Sequence, residues 1–149
     1  MFAPCTPKGI MDYLEFINIP VEGRICTVVG RSDIVGKPLV NMLIEKGAAV
    51  INCNSKTPKS RLQHFALMSD VFISAIGKAN YFDKSYFVDA VLVDVGINRD
   101  ENGRLCGDIQ REAKEKVSIA TPVPGGVGLL TRVALLENTL LACKMKNEV

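Results

Sequence analysis

The stretch from Arg24 to Pro38 constrains the fold of this chain more than any other. Residues 25–29 form an unbroken apolar run rich in β-branched side chains, which is typical of a strand buried on both faces of a parallel sheet. Gly30 and Gly36 bracket the turn that follows, and Pro38 stands where the first turn of a helix tolerates proline. The sequence therefore predicts a strand, a glycine turn and a helix N-terminus in direct succession.

A turn of this kind can bind a phosphate group. Free N–H groups and the positive end of the helix dipole converge there, and glycine leaves no side chain in the way. The general dinucleotide fingerprint G-x-G-x-x-G is matched poorly, because the chain offers Gly30, Ser32 and Gly36 instead. Taken alone, the stretch also fits a glycine that only turns the chain into its next helix.

The size and charge of the chain exclude several classes of protein. Its 149 residues suffice for one domain with a proper core, but not comfortably for two. A net charge of +2 without a basic cluster argues against nucleic acid binding. The N-terminus lacks the apolar core of a signal peptide, and no apolar run approaches the ~18 residues of a membrane span. We therefore expect no membrane association and a cytoplasmic or organellar location.

The cysteines and the histidine narrow the possible chemistry. The five cysteines are scattered without the paired spacing that disulfide frameworks and zinc sites need. Cys26 and Cys53 fall in predicted strands and are interpreted as small core residues. His64 is the only histidine, which excludes a histidine-based catalytic or metal-binding constellation. We expect no metal site.

Predicted strands and helices alternate along the chain. This pattern indicates a Rossmann-like, doubly wound α/β fold with a mainly parallel sheet of about five strands and flanking helices. Right-handed crossovers favour the strand order 2-1-3-4-5. Thr6-Pro7 and Thr57-Pro58 each have the pattern of a helix cap followed by proline at the first helical position. The predicted strands span residues 24–29, 48–53, 71–75, 91–95 and 117–120, with a hairpin at 99–106 and a final helix near 129–145.

Glycines follow the predicted strands repeatedly. Gly30, Gly77, Gly96 and the Gly125-Gly126 pair each come directly after a strand or soon after it. Because ligands of doubly wound sheets bind beyond the carboxyl ends of the strands, four such loops at one edge indicate a cleft. This strengthens the phosphate-binding interpretation of Gly30.

The loop after the second strand indicates which dinucleotide binds. Folds that select NAD carry an acidic residue ~20 positions beyond the glycine turn, where it holds the ribose hydroxyl. Here that region has no acid and contains Ser55 and Lys56, while Arg31 projects from the glycine turn. A hydroxyl and two cations suit the 2′-phosphate of NADP. The alternative is that Lys56 and Lys59 are ordinary solvated lysines.

Two acidic residues are candidates for catalysis, and we favour structural roles for both. Asp94 lies in a predicted strand, where a carboxylate is more often hydrogen-bonded to loop amides. Asp108 follows Gly107 and is interpreted as a turn or helix-cap residue. The segment 121–128 is the most unusual string, because two prolines fix φ while three glycines permit backbone shapes closed to other residues. A mere connector would need only a few polar residues, so we expect this loop to face a ligand.

Several segments together resemble one enzyme family. The chain is similar, over nearly its whole length, to the C-terminal NAD(P)-binding domain of bifunctional methylenetetrahydrofolate dehydrogenase/methenyltetrahydrofolate cyclohydrolase. The resemblance implies an NADP-dependent enzyme of one-carbon folate metabolism and purine biosynthesis, cytoplasmic or organellar and usually homodimeric. Such an enzyme oxidises 5,10-methylenetetrahydrofolate and hydrolyses the product to 10-formyltetrahydrofolate. The segments that carry the resemblance are residues 4–9, 30–32, 34–38, 94–98 and 121–128.

The resemblance also implies site residues by position. Gly30, Arg31 and Ser32 would hold the phosphates and ribose of the cofactor, Ser55 with Lys56 its 2′-phosphate, and Ile97 a region near its reactive end. The junction with the folate would be lined by Pro124, Gly125, Gly126, Val127 and Thr131. No catalytic residue is assigned to this chain.

Two departures from the family pattern matter. Leu129-Leu130 stands where the family usually has Pro-Met, which loosens the loop where the folate should pack. The family also has an N-terminal domain with the active-site tyrosine and lysine, and this chain resembles only the other half. Residues 1–149 would then be a single NAD(P)-binding domain whose helix 129–145 packs on the missing domain.

Three hypotheses remain at this level. The chain is the cofactor-binding half of the folate enzyme, or a stand-alone dinucleotide-binding module without catalysis of its own, or a remnant that binds nothing. The intact Gly30 turn and the Ser55-Lys56 pair argue against the third. We further expect the last helix to expose apolar side chains that the absent domain would cover.

Overall fold

A parallel sheet of four strands forms the centre of the computed structural model, which describes residues 2–147. Met1, Glu148 and Val149, which belong to the predicted domain, lie outside the described residues. The strand order is β2-β1-β3-β4, so the predicted doubly wound order is confirmed for these strands. The strands are β1 (Ile25–Val29), β2 (Ala49–Cys53), β3 (Val71–Ser74) and β4 (Val91–Asp94).

Helices cover both faces of the sheet, as the α/β prediction requires. A small antiparallel hairpin, β5 (Asn98–Arg99) and β6 (Leu105–Cys106), forms the predicted excursion after β4. The helices are α1 (Cys5–Phe16), α2 (Gly36–Glu45), α3 (Lys59–Leu67), α4 (Arg111–Lys116) and α5 (Val127–Asn147), with a 3₁₀ helix at Lys84–Tyr86.

The predicted fifth strand is reduced to a single bridge. The backbone of Leu92 donates to the carbonyl of Ile119 and accepts from the amide of Thr121, both at 3.0 Å. The pairing stops there, because the Asp94 amide, which would form the next rung with the Thr121 carbonyl, donates to the Thr121 hydroxyl at 2.8 Å instead. On the other side of the bridge the Ser118 amide donates to the Asp89 carboxylate. The segment lies beside β4, as predicted, but the expectation of about five strands was too high by one.

Two apolar clusters, one on each face of the sheet, form the core. One cluster packs α1 and α2 on the sheet through Ile10, Leu39 and Leu43, and it includes Val127 from α5. The other packs α3 and α4 on the opposite face, where the ring of Phe72 meets those of Phe82 and Phe87 edge-on, each at a centroid distance of 5.0 Å. Each aromatic pair stabilises the fold by ~0.5–1.5 kcal/mol beyond its buried area.

The two predicted threonine caps are not caps. Helix α1 already begins at Cys5, after Pro4, and α3 begins at Lys59, after Pro58, with no side-chain cap in either case. The hydroxyl of Thr6 instead lies 2.9 Å from that of Thr131 in α5. The hydroxyl of Thr57 accepts from the amide of Asn54, within the preceding turn. Thr6 therefore holds α1 against α5, whereas Thr57 closes a local turn.

Helix α5 packs on α1 and leaves an apolar face exposed. Gly9 allows the close contact, because a Cβ there would lie 2.8 Å from the carbonyl oxygen of Leu130, and Lys8 forms an ion pair with Glu137. On the other side Leu129, Val133, Leu136 and Leu140 are exposed, Leu136 by 70%. No helix among residues 2–147 is both long and apolar enough to cross a membrane.

The exposed face of α5 predicts self-association of the isolated chain. The four side chains follow a 4-3-4 spacing and so form one stripe along the helix. We expect Leu136→Gln with Leu140→Gln to shift the chain toward a monodisperse monomer in sedimentation velocity. Because both side chains are exposed, the free energy of unfolding should change by no more than ~0.5 kcal/mol.

Lys144→Gln, on the same helix, is the control and should leave the association unchanged. A native chain that sediments as a monodisperse monomer and binds no hydrophobic dye would contradict the prediction.

Candidate functional site

The glycine turn after β1 is held tightly between its neighbours. Gly30 has φ +138°, and a Cβ there would lie 2.8 Å from the carbonyl oxygen of Ala75 at the end of β3. A Cβ on Gly36 would overlap the carbonyl of Gly30, so α2 begins directly against the turn. The hydroxyl of Ser32 accepts from the amides of Val35 and Gly36 at 3.2 and 3.3 Å. Both glycines are therefore required by the geometry of the turn, and Ser32 holds the first amides of α2.

The loop after β2 presents Ser55 and Lys56 on a rigid turn. The Asn54 side chain accepts from the Lys56 amide at 2.9 Å, and Thr57 closes the turn through its hydroxyl and its amide. Ser55, Lys56 and Arg31 are exposed, and neither cation forms an ion pair within residues 2–147. Two free positive charges therefore stand at adjacent strand exits.

Asn52 in β2 joins these two loops, and the sequence analysis missed it. Its side-chain amide donates to the carbonyls of Val28 and Gly30 at 3.0 and 2.8 Å, while the Gly30 amide donates to the carbonyl of Cys53 at 2.8 Å. The available signal was an amide side chain near the end of an otherwise apolar strand. These hydrogen bonds connect the carboxyl end of β2 to the glycine turn.

The predicted cofactor residues are spread along the whole carboxyl edge. Because strands lie ~4.8 Å apart, the exit of β2 with Ser55 lies about three strand spacings, ~14 Å, from the exit of β4 with Ile97. Gly30, Arg31 and Ser32 lie between them, after β1. The side chain of Ile97 is 67% exposed. A ligand that contacts all of these residues must lie across the edge of the sheet.

The predicted substrate residues follow at the far end of this edge. Pro124 and Gly125 are exposed, Gly126 is half-buried, and the Val123–Pro124 peptide bond is cis. Val127 is buried in the core, and its carbonyl accepts from the hydroxyl of Thr131 at 3.1 Å. The loop is thus exposed at its tip and anchored at its base, which is what a ligand-facing loop requires.

Asp94 is a buried structural carboxylate, as its strand position predicted. It accepts from the backbone amides of Asp108 and Ile109 at 2.9 and 3.0 Å and from the Lys114 ammonium at 2.9 Å. Burial raises the pKa of Asp94 above its usual range, while Lys114 and the two amides act in the opposite direction. A Cβ on Gly107 would overlap this carboxylate, so only glycine fits there.

The interpretation of Asp108 as a turn or cap residue was wrong. Asp108 is fully buried and accepts from the Ser74 hydroxyl at 2.8 Å and from the Ile76 and Lys78 amides at 3.0 Å. The side-chain amide of Asn98, beside Ile97, also donates to it at 3.0 Å. One carboxylate thereby ties the loop after β3 to the segment that carries Ile97. A local sequence pattern could not predict this role, because the hydrogen-bond partners of Asp108 lie 10 to 34 residues away.

A cavity of about 700 Å³ lies away from this edge, between α1 and α2 near the amino end of β1. Four carboxylates and two lysines line it: Asp12, Glu15, Glu22, Glu45, Lys8 and Lys46. The excess of negative charge disfavours the phosphates of a dinucleotide, so we do not assign the cofactor to it. A second cavity of about 510 Å³ borders the hairpin and the start of the predicted substrate loop, at Pro122 and Val123.

The fold and the edge together define a class of protein. A doubly wound sheet with a glycine turn after β1, a closely packed helix N-terminus and free cations after β2 is a Rossmann-like nucleotide-binding domain. The model of one protein family, described as tetrahydrofolate dehydrogenase/cyclohydrolase, NAD(P)-binding domain, matches residues 4–147. The chain belongs to this family.

Sequence and structural similarity to known proteins supports this assignment. The chain is 44% identical over 150 residues to the bifunctional protein FolD of Clostridium kluyveri, covering 99% of this chain and 52% of that protein. Its structure is similar to that of the bifunctional enzyme FolD from Campylobacter jejuni, with a TM-score of 0.92, 41% identity, and coverage of 97% and 51% of the two chains.

A further similar structure contains a cofactor. The Trypanosoma brucei FolD, complexed with NADP cofactor and inhibitor, has a TM-score of 0.92 and 32% identity, with coverage of 99% of this chain and 52% of that one. The chain thus spans about half the length of the relatives it matches.

The Asp94–Lys114 pair predicts a pH-dependent loss of stability. Lys114→Met leaves a buried carboxylate without its cation, and we expect the free energy of unfolding to fall by ~2–4 kcal/mol near neutral pH. Without Lys114 the raised pKa of Asp94 rises further. The loss should therefore shrink as pH falls from neutrality toward the ordinary range of a carboxyl group, because the folded variant then takes up a proton that the unfolded chain binds only at lower pH.

Urea unfolding at several pH values measures this effect. Arg111→Met, which removes the exposed pair with Glu115, is the control and should cost at most ~0.5 kcal/mol. An equal and pH-independent loss in both variants would contradict the prediction.

Proposed function

We propose that the chain is the cofactor-binding half of an NADP-dependent 5,10-methylenetetrahydrofolate dehydrogenase/5,10-methenyltetrahydrofolate cyclohydrolase. NADP, when bound, supplies the hydride acceptor of the dehydrogenase reaction. In the proposal Gly30, Arg31 and Ser32 bind its phosphates and ribose. The choice of dinucleotide depends on the loop after β2.

The observation that carries the proposal is the pair of free cations beside Ser55. Arg31 and Lys56 stand at neighbouring strand exits without ion pairs in the described part of the chain, and the turn from Asn54 to Thr57 contains no carboxylate. A 2′-phosphate can accept a hydrogen bond from the Ser55 hydroxyl and charge-assisted bonds from both cations. The ribose hydroxyl of NAD offers them nothing comparable.

The proposed folate contacts form one wall of a site. Pro124, Gly125 and Gly126 would lie over the folate, near the end of the cofactor that Ile97 contacts, with Val127 and Thr131 anchoring the loop to α5. Asp94 and Asp108 are engaged in buried hydrogen bonds and are not available as acid–base groups. The proposal therefore assigns no catalytic residue to residues 1–149, and proton transfer would fall to the part of the relatives that these residues do not match.

The exposed stripe of α5 is proposed as the contact with that other half. The chain covers about half of its relatives' length, and Leu129, Val133, Leu136 and Leu140 form a continuous apolar face. Leu129-Leu130, in place of the usual Pro-Met, lies at the start of this helix. Residues 1–149 would then act as one NAD(P)-binding domain, in a homodimeric, cytoplasmic enzyme that contributes to purine biosynthesis.

A second candidate is a stand-alone dinucleotide-binding module. It is favoured by the completeness of the edge, since the glycine turn, the Ser55 turn and the Asp108 anchor are all formed within this chain. The two candidates share the cofactor and differ in catalysis.

The cofactor choice predicts a difference in affinity. NADP should bind ~10- to 100-fold more tightly than NAD, since a charge-assisted contact to phosphate contributes ~1.5–3 kcal/mol. Arg31→Met should reduce this preference by about tenfold. Arg111→Met, which removes a cation elsewhere, should leave it intact. Titration calorimetry with both dinucleotides measures the preference, and equal affinities in the native chain would refute the proposed role of the Ser55 loop.

The isolated chain should not turn over folate. Holding the methylene carbon against the nicotinamide can lower the barrier by ~7–11 kcal/mol, and the chain supplies one wall of the site only. We expect no increase in absorbance at the NADPH band with 5,10-methylenetetrahydrofolate and NADP. Adding a separately produced N-terminal half of a FolD relative should restore turnover if the chain is an enzyme half. Turnover at ~1–1000 per second by the chain alone would contradict the assignment.

A further inference from the structure

Two ammonium groups converge on one aromatic ring beside the Ser55 loop. The Nζ atoms of Lys59 and Lys78 lie 5.1 and 5.0 Å from the ring centroid of Tyr81, within the range of a cation–π interaction. The two lysines come from different elements, because Lys59 begins α3 and Lys78 lies in the loop after β3. We call these three residues the Tyr81 platform.

The charges of the platform are not neutralised. Neither lysine forms an ion pair among residues 2–147, and both side chains are exposed. Asp83 is close enough for Lys59 to contribute to lowering its pKa, but hydrogen bonds from Ser85 are the larger cause. The two nitrogens are at most about 10 Å apart, so two unpaired positive charges lie within one small area. An anion bound there would be attracted by both.

The platform lies at the Ser55 end of the carboxyl edge. Lys59 follows Ser55 by four residues, with the rigid turn between them. Lys78 belongs to the segment that begins at Ala75, whose amide donates to Val29 and whose carbonyl contacts Gly30. The backbone of Lys78 is itself fixed, because its amide donates to Asp108. Lys59 therefore places the platform next to the Ser55 loop along the chain, and Tyr81 brings the ammonium group of Lys78 to the same place.

We propose that Lys59 and Lys78 are further specificity residues for the 2′-phosphate of NADP, and that Tyr81 is a positioning residue that holds their ammonium groups. The inference rests on the proposed function and extends it to residues outside the glycine turn and the Ser55 loop. The aromatic ring attracts both cations without neutralising them, which a carboxylate in its place would do. The platform therefore keeps positive charge in position for an anion.

Adenosine 2′,5′-bisphosphate and adenosine 5′-monophosphate test the proposal, because they differ only in the 2′-phosphate. Calorimetric titration of the native chain should show tighter binding of the bisphosphate. Lys59→Met and Lys78→Met should each weaken bisphosphate binding by ~3- to 10-fold and leave monophosphate binding unchanged. Lys46→Met, with the same loss of charge at the far end of α2, is the control and should change neither affinity.

Two substitutions test whether the aromatic ring of Tyr81 is what positions the two lysines. Tyr81→Leu should weaken bisphosphate binding, while Tyr81→Phe, which keeps the ring, should retain the native affinity. Equal effects of Tyr81→Leu and Tyr81→Phe would overturn the positioning role.

The outcomes separate this proposal from the proposed function. If the native chain prefers the bisphosphate and both lysine variants keep that preference, the platform is overturned and the NADP assignment stands. If the lysine variants weaken both ligands equally, the platform acts on phosphate in general and its 2′ specificity is overturned. If the native chain shows no preference for the bisphosphate, the NADP assignment and the platform both fail.

Discussion

The carboxyl edge depends on two buried carboxylates, each of which packs against a glycine in the segment that carries the other. Asp94 occupies the space that a side chain at Gly107 would fill, and Asp108 occupies that beside Gly96. Asp94 accepts hydrogen bonds from the backbone amides of the segment that carries Asp108. Asp108 accepts hydrogen bonds from the amides of the loop after β3. These bonds connect the two segments and the loop. Unsatisfied buried carboxylates are too costly to tolerate, so the loops adopt the one arrangement that satisfies both. The hydrogen bonds that hold the loops of this edge are therefore all formed within this chain.

Local sequence patterns predicted the fold class, and they failed where distant partners decide a residue's role. The apolar run before Gly30 and the alternation of elements were enough for the order of β2, β1, β3 and β4. The prediction of a fifth strand was wrong because the Asp94 amide donates to the hydroxyl of Thr121 and not to its carbonyl, which ends the pairing with β4. Thr6 failed as a cap because its hydroxyl meets Thr131, 125 residues away. Hydroxyl and carboxylate side chains change roles according to the groups that the fold brings to them, and no local pattern reports that.

The candidate site shows the same division. Ser55, Lys56 and Arg31 are predicted as cofactor contacts from the sequence alone, because the signal was the absence of an acid at a known distance from a glycine turn. Asn52 and Asp108 could not, since their functions consist of hydrogen bonds to other strands and loops. The predicted ligand contacts thus come from sequence, whereas the residues that hold those contacts in place come from structure. Helix α5 adds a third kind of information, because only the structure shows which of its apolar side chains are exposed.

Asp108 gives the two ends of the edge a common anchor. Through Asn98 it holds the segment of Ile97, and through the amide of Lys78 it holds the loop that reaches Tyr81. The two halves of a dinucleotide would therefore meet a single preorganised frame rather than two independent loops. The entropy of aligning those loops is lost during folding, so a ligand does not have to supply it on binding. A fragment that occupies one end finds the other already in register, and linking two such fragments should lose little affinity to reorganisation.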